Sequence, residues 1–147
     1  MPVDIIVGID IYATRWHNTH MKRVFKTRHF SRWMRKTELT DRTLCVAVAE
    51  MIQGLIDADL GGGVVKKRVG LAGRGKRGGA RTLVATNKGN RWFFVFGFEK
   101  NERANIPDEE VEALRELAMH LLARTGPQLD EAVLDGALQE ICNDEKY

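Results

Sequence analysis

The middle of this sequence lacks negative charge. Between Leu60 and Phe98 there is no aspartate or glutamate, although the segment carries nine basic residues and ends in an aromatic run. Many cations without a carboxylate create a positive electrostatic potential, so the expected ligand is a polyanion, and nucleic acid is the one we expect. The nine basic residues are Lys66, Lys67, Arg68, Arg74, Lys76, Arg77, Arg81, Lys88 and Arg91.

Cysteine and long apolar runs are also scarce. The two cysteines, Cys45 and Cys142, do not make a disulfide framework, so we expect buried, reduced thiols; a disulfide or a reactive thiol is the alternative. No apolar run approaches the roughly 20 residues of a membrane span. The apolar start Met1–Val7 has no cationic region typical of a signal peptide. A cytoplasmic protein without membrane association is expected.

The chain divides by pattern and by charge. Its 147 residues suffice for one domain with a core. Residues 1–20 are poorly patterned and are interpreted as a flexible extension or a mis-assigned start, with a first strand at Ile5–Ile11 as the alternative. A domain is predicted over residues 21–125, followed by a short helix and an acidic tail over residues 126–147. Residues 99–147 hold thirteen acids and five bases, a net charge of −8, so residues 1–98 carry +11 of the total of +3.

Hydrophobic periodicity predicts the order β-α-α-β-β-β-α-α. This order indicates a small α+β domain, a mostly antiparallel sheet of three to four strands with helices packed on one face. Gly70–Gly79 is predicted to be a basic loop, Asn87–Asn90 a hairpin turn, and Gly126-Pro127 the end of the third helix. The predicted elements are a strand at Val24–Thr27, a helix around Phe30–Met34, a helix from Thr40 or Asp41 to Leu55, strands at Val64–Val69, Arg81–Thr86 and Arg91–Phe98 (the last one central), a helix opened by Pro107, and a helix at Gln128–Leu134.

Two familiar kinds of site are disfavoured. Gly70–Lys76 fits the first seven positions of a phosphate-binding loop, but Arg77 stands where serine or threonine should bind magnesium, and a strand follows instead of a helix. The histidines show no metal-ligand spacing, and the basic segment has no carboxylates. We therefore expect no cofactor and no metal site, and any nuclease chemistry should be metal-independent.

Lysine and arginine remain as the chemical groups of the basic segment. RNA cleaves itself when its 2′-hydroxyl is deprotonated and aligned on the adjacent phosphate. Crowded cations help by lowering the pKa of a neighbouring lysine, which can then act as a base, and by stabilising the charged transition state. Phosphate binding without chemistry is the alternative that the pattern alone favours.

Several local segments in this order resemble the RelE toxin superfamily, in particular the RelE/HigB-like toxins of bacterial type II toxin–antitoxin systems. The resemblance covers residues 21 to about 125. It implies a ribosome-dependent endoribonuclease that cuts mRNA and is neutralised by a small helix-turn-helix antitoxin. The segments that carry it are Phe25–Thr27, Gly54–Gly63, Val65–Val69, Gly78–Leu83 and Phe96–Ile106.

The resemblance also implies residue roles. Arg81 would stabilise the scissile phosphate, Lys66 or Lys67 would act as base or electrostatic support, and Arg68 would hold a phosphate. The resemblance leads one to expect a tyrosine shortly after the last predicted strand, but Pro107 stands about there. The general acid is therefore unassigned. A ParE-like gyrase inhibitor and a non-catalytic nucleic-acid-binding module are the alternatives. The RNA-binding candidates are Arg74, Lys76, Arg77, Lys88, Lys100 and Arg103.

Overall fold

A computed structural model describes residues 21–71 and 75–143 of the chain and no side chain between residues 72 and 78. The expected N-terminal extension and the last residues of the acidic tail lie outside the described residues, as do positions 72–74 of the predicted loop.

Six strands and four helices make up the described part of the chain. The glycine-rich region is shorter than predicted as a loop, because one strand runs on to Leu71 and the next already starts at Gly75. Gly126 and Pro127 begin the last helix instead of ending the third, and Thr125 caps that last helix. The elements are β1 (Arg23–Thr27), α1 (Arg28–Met34), α2 (Asp41–Ile52), β2 (Ala58–Gly61), β3 (Val64–Leu71), β4 (Gly75–Thr86), β5 (Arg91–Glu99), α3 (Asp108–Leu122), α4 (Gly126–Leu134) and β6 (Leu138–Ile141).

The strands form one sheet in the order β2-β3-β4-β5-β1-β6. Only the β1–β5 pair is parallel, so the predicted α+β class and mostly antiparallel sheet are confirmed. The sheet has six strands rather than three or four. The two strands that were not predicted, β2 and β6, are four residues long and form the two edges of the sheet. Strands this short carry too few residues for their alternation to be recognised.

Helices cover both faces of the sheet rather than one. Alternate residues of β5 point in opposite directions: Trp92 and Phe94 belong to the core beneath α1 and α2, and Phe93 and Val95 to the core beneath α3 and α4. The predicted central position of this strand is confirmed, because β4 and β1 flank it. A strand buried on both faces reads as a continuous apolar run, which hides the second face from a search for alternation.

Two buried lysines of the sheet bind the opposite ends of α2. Lys26 of β1 donates from Nζ to Oδ1 of Asp41, the first residue of α2, over 2.7 Å. Lys67 of β3 lies 3.0 Å from Oε1 of Glu50 and donates to the backbone oxygen of Leu55 over 2.8 Å. Because a buried charge is costly without a partner, these contacts fix the position of α2 on the sheet.

The cysteines do not remain reduced in the structure, so the expectation of free thiols is wrong. Cys45 of α2 and Cys142, which follows β6, form a disulfide with their Cα atoms 5.6 Å apart. β6 pairs with β1 at the edge of the sheet and thereby brings Cys142 to α2. Because the sequence pattern did not predict β6, it did not predict that Cys142 lies next to Cys45.

Candidate nucleic-acid interface

Three of the predicted cations meet on the sheet face that α3 and α4 partly cover. In β3, Val65 and Val69 point to the core beneath α2, so Lys66 and Arg68 between them point to the opposite face. Arg68 pairs directly with Arg81 of β4, and Lys66 pairs with Leu83. Arg81 in turn lies opposite Phe98 of β5. We call Lys66, Arg68 and Arg81 the cationic face.

Arg68 and Arg81 are like charges at directly opposed positions of two strands, an arrangement that destabilises a sheet. Asp57 offsets part of this repulsion. Its Oδ1 accepts a hydrogen bond from Nε of Arg68 over 3.1 Å, and its Oδ2 accepts one from the backbone N–H of Arg68 over 2.6 Å. The side-chain hydrogen bonds of Asp57 go to Arg68, and the direct pairing of Arg68 with Arg81 places two guanidinium groups side by side, which suits a phosphate ligand.

Asp57 has a shifted pKa. Burial by itself would raise the pKa of its carboxyl group, but the two hydrogen bonds from Arg68 and the charges of Arg68 and Lys67 outweigh burial, so that the pKa lies below the ordinary value of 3.8. A carboxyl group whose pKa is lower in the folded protein stabilises the fold above its unfolded pKa. That stabilisation disappears as the pH falls through the folded pKa.

We expect Asp57→Asn to lower the free energy of unfolding by about 1 kcal/mol at pH 7. The difference from wild type should stay constant down to about pH 4 and shrink below it, since the wild-type carboxyl group is then protonated as well. Urea unfolding at a series of pH values measures this. Glu38→Gln, which removes an exposed carboxylate that has no ion pair in residues 21–71 and 75–143, is the control. An unchanged difference at pH 3 would contradict the prediction.

Lys66 and Lys67 are neighbours in sequence but lie on opposite faces. Lys66 is half-buried on the cationic face, and no side chain in the described ranges forms an ion pair with it. Lys67 is 3% exposed and is engaged with Glu50 on the other face. Of the two candidate bases, only Lys66 is therefore placed beside Arg68 and Arg81.

Arg81 is half-buried, and its Nη1 donates to the backbone oxygen of Gly79 over 3.3 Å. Gly79 belongs to the same strand and packs so closely on β3 that a Cβ atom there would lie 2.0 Å from the backbone oxygen of Val69. The strand that carries Arg81 is consequently held tightly against the strand that carries Arg68.

The remaining RNA-binding candidates are dispersed. Lys100 is exposed just after β5, and Arg103 lies 5.6 Å over the ring of Phe96 and bonds to Glu110 of α3. Lys88 lies in the β4–β5 turn, where it forms an ion pair with Asp59. Five residues of β4 lie between Arg81 and that turn, a separation of about 20 Å along a strand, so Lys88 is not part of the cationic face. The side chains of Arg74, Lys76 and Arg77 lie outside the described part of the chain.

The loop that carries Lys100 and Arg103 is attached to α1 through Trp33. The ring of Trp33 packs on Gly97 of β5 so closely that a Cβ atom at this glycine would lie 2.2 Å from the ring. Nε1 of Trp33 donates to Oε1 of Glu102 over 3.3 Å, and the same oxygen accepts a bond from the backbone N–H of Glu99. These contacts fix the course of the chain after the last predicted strand.

His29 is a candidate that reasoning from the sequence did not select. It lies in the first turn of α1, is exposed, and stacks on Phe96 with ring centroids 5.5 Å apart and an interplanar angle of 9°. The adjoining groove has a volume of about 470 Å³ and apolar walls, mainly Leu114, Leu117 and Leu121 of α3. The parallel pairing of β1 with β5 brings His29 to Phe96, and no local pattern in the sequence reveals this pairing.

Within residues 21–71 and 75–143, no three His, Cys, Asp or Glu side chains are close enough together to hold a metal ion. In the same ranges, no helix is both long and apolar enough to cross a membrane.

Comparison with known proteins identifies the family of this chain. Residues 22–141 match the family model described as the RelE toxin of the RelE/RelB toxin–antitoxin system. The match spans most of the 147 residues, and the chain therefore belongs to the RelE toxin family. A search of the curated proteins found no match. Membership of this family makes the protein the toxin of a toxin–antitoxin pair, and the family implies an antitoxin as its partner.

Proposed function

We propose that this toxin is a ribosome-dependent endoribonuclease that cleaves mRNA without a metal ion and acts in the cytoplasm. The observation that carries the proposal is the direct pairing of Arg68 with Arg81 beside Lys66 on one sheet face. Repulsion between two directly paired arginines destabilises the sheet, and a role of both in binding the RNA backbone would explain why the protein has them there.

The reaction would use the 2′-hydroxyl of the RNA as nucleophile. Arg81 would stabilise the charge that develops on the phosphate, because a guanidinium group can bind two phosphate oxygens at once. Lys66 would take the 2′-proton or, as a cation, offset the negative charge of the phosphate. No carboxylate of the described residues forms an ion pair with it. Arg68 and Lys100 would hold neighbouring phosphates.

Arg103 would contact a base of the RNA rather than the reacting phosphate. Its guanidinium lies over Phe96 and is bonded to Glu110 over 2.9 Å. An arginine fixed in this way on an aromatic ring offers a planar surface against which an RNA base can stack.

A helix-turn-helix antitoxin that covers the cationic face would prevent access of RNA.

A reconstituted bacterial translation reaction with one defined mRNA tests the proposal. The toxin should produce cuts within the translated region, leaving a 5′-hydroxyl on the downstream fragment, and should leave the same mRNA intact when ribosomes are omitted. Primer extension and end analysis detect both. Intact mRNA together with cleaved DNA in a gyrase assay would select a ParE-like inhibitor instead, and RNA binding without cleavage would select a non-catalytic module.

A further inference from the structure

The proposed reaction lacks a proton donor for the leaving 5′-oxygen. The two tyrosines, Tyr12 and Tyr147, lie outside the described residues. Arginine is a poor acid because its pKa is so high. Histidine is the side chain best suited to exchange a proton near neutral pH, and four are present in the sequence.

Of the two histidines in the described ranges, His29 and His120, it is His29 that the fold brings to β5, the strand that pairs with the one carrying Arg81. Thr27 accepts a hydrogen bond from the backbone N–H of Phe30 and so ends β1 and starts α1 at this point. The parallel register, in which Lys26 pairs with Phe94, then places His29 beside Phe96. The imidazole of His29 is exposed, yet it lies flat on the ring of Phe96, whose position is fixed by β5.

The distance to Arg81 follows from the sheet. Phe96 pairs with Leu83, and Phe98, two residues further along β5, pairs with Arg81. Phe96 and Phe98 are themselves in contact, with centroids 6.3 Å apart. Since neighbouring strands are about 4.8 Å apart, the backbones that carry Arg81 and His29 are separated by about 10 Å. Both side chains extend on the same side of β5, so a phosphate bound by Arg81 would approach His29 across the ring of Phe96.

We propose that His29 donates the proton to the leaving 5′-oxygen of the RNA; this inference rests on the proposed nuclease function. The 2′-oxygen loses its proton to Lys66 and forms a bond to phosphorus. The bond between phosphorus and the 5′-oxygen breaks, and its electron pair takes the proton of the imidazolium. The products are a 2′,3′-cyclic phosphate and a 5′-hydroxyl. Lys66 then releases to water the proton that it took, and His29 regains a proton from water.

The competing explanation is that His29 only closes the apolar groove by stacking on Phe96. A stacking role needs an aromatic ring but no proton. His29→Phe retains the ring without the proton, and His29→Ala removes both. His120→Ala, which changes another exposed histidine on α3, is the matched control.

The decisive substrate is an mRNA with sulfur in place of the bridging 5′-oxygen at the cleavage site, because a thiolate leaves without protonation. On ribosomes programmed with the normal mRNA, both His29 variants should cleave about 100-fold more slowly than wild type. On the sulfur-containing mRNA they should cleave at nearly the wild-type rate, whereas Arg81→Ala should be slow on both.

The outcomes are distinct. Normal activity of His29→Phe on the normal mRNA would overturn the inference and assign His29 to packing. Equally slow cleavage of both substrates by the His29 variants would overturn it as well. If wild type cleaves neither substrate, the proposed nuclease function itself fails.

Discussion

Arg81→Ala is expected to lower the rate of mRNA cleavage by about 100- to 1,000-fold, the loss typical when one transition-state donor is removed from an enzyme. Arg81 lies at the middle of the cationic face, with Arg68 opposite on β3 and Phe98 opposite on β5. Arg81→Lys should recover only part of the rate, since an ammonium group cannot bind two phosphate oxygens in the planar geometry of a guanidinium.

Single-turnover cleavage on programmed ribosomes measures this change separately from binding. Arg42→Ala is the matched control, because Arg42 is an exposed arginine on α2, the helix that packs on the other face of the sheet. The control should cleave at the wild-type rate. A thermal transition that matches that of wild type shows that Arg81→Ala is folded. A folded Arg81→Ala with wild-type cleavage would remove Arg81 from the mechanism.

Loss of the disulfide is expected to lower the free energy of unfolding by about 2–4 kcal/mol. Cys45 and Cys142 are separated by 97 positions, so their bond closes a loop that includes most of the fold and restricts the unfolded chain strongly. The bond also attaches the end of the short edge strand β6 to α2. Without it, β6 depends on its pairing with β1 and on the ion pair of Arg23 with Glu140.

Urea unfolding of the oxidised protein, of the same protein in reductant, and of the variant Cys45→Ser/Cys142→Ser measures the contribution of the bond. The reduced protein and the double variant should agree, and reductant should not affect the double variant. Equal stability of oxidised and reduced protein would contradict the prediction. A ribosomal target would place the toxin in the cytoplasm, where thiols are kept reduced, so the less stable form is the one expected to act there.

The long and strongly patterned elements were predicted from the sequence. The apolar stripe of α2 and the threonine that caps it are local features, and the cap at Thr40 is confirmed. The turn Asn87–Asn90 and the central strand β5 were found for the same reason. The short strands β2 and β6 were not, because four residues hold too little pattern.

The candidate site was predicted in its composition but not in its arrangement. The carboxylate-free segment identified the cations, and strand alternation alone could have separated Lys66 from Lys67. Alternation does not say which face a helix covers, however. The position of α2 decides that Lys67 is buried against Glu50 while Lys66 lies with Arg81. Lys88 was included for its charge, although the turn that holds it lies at the other end of β4.

The sequence by itself determined the charge segregation, the α+β class and the identity of the basic strands, since these depend on local composition and periodicity. Only the tertiary structure decided that Arg68 faces Arg81, that His29 stacks on Phe96 and that Cys45 joins Cys142. Each of these contacts connects residues that are far apart in the chain, and strand order and register bring them together. Neither order nor register is encoded in any single segment, because both arise when the whole sheet packs between its helices.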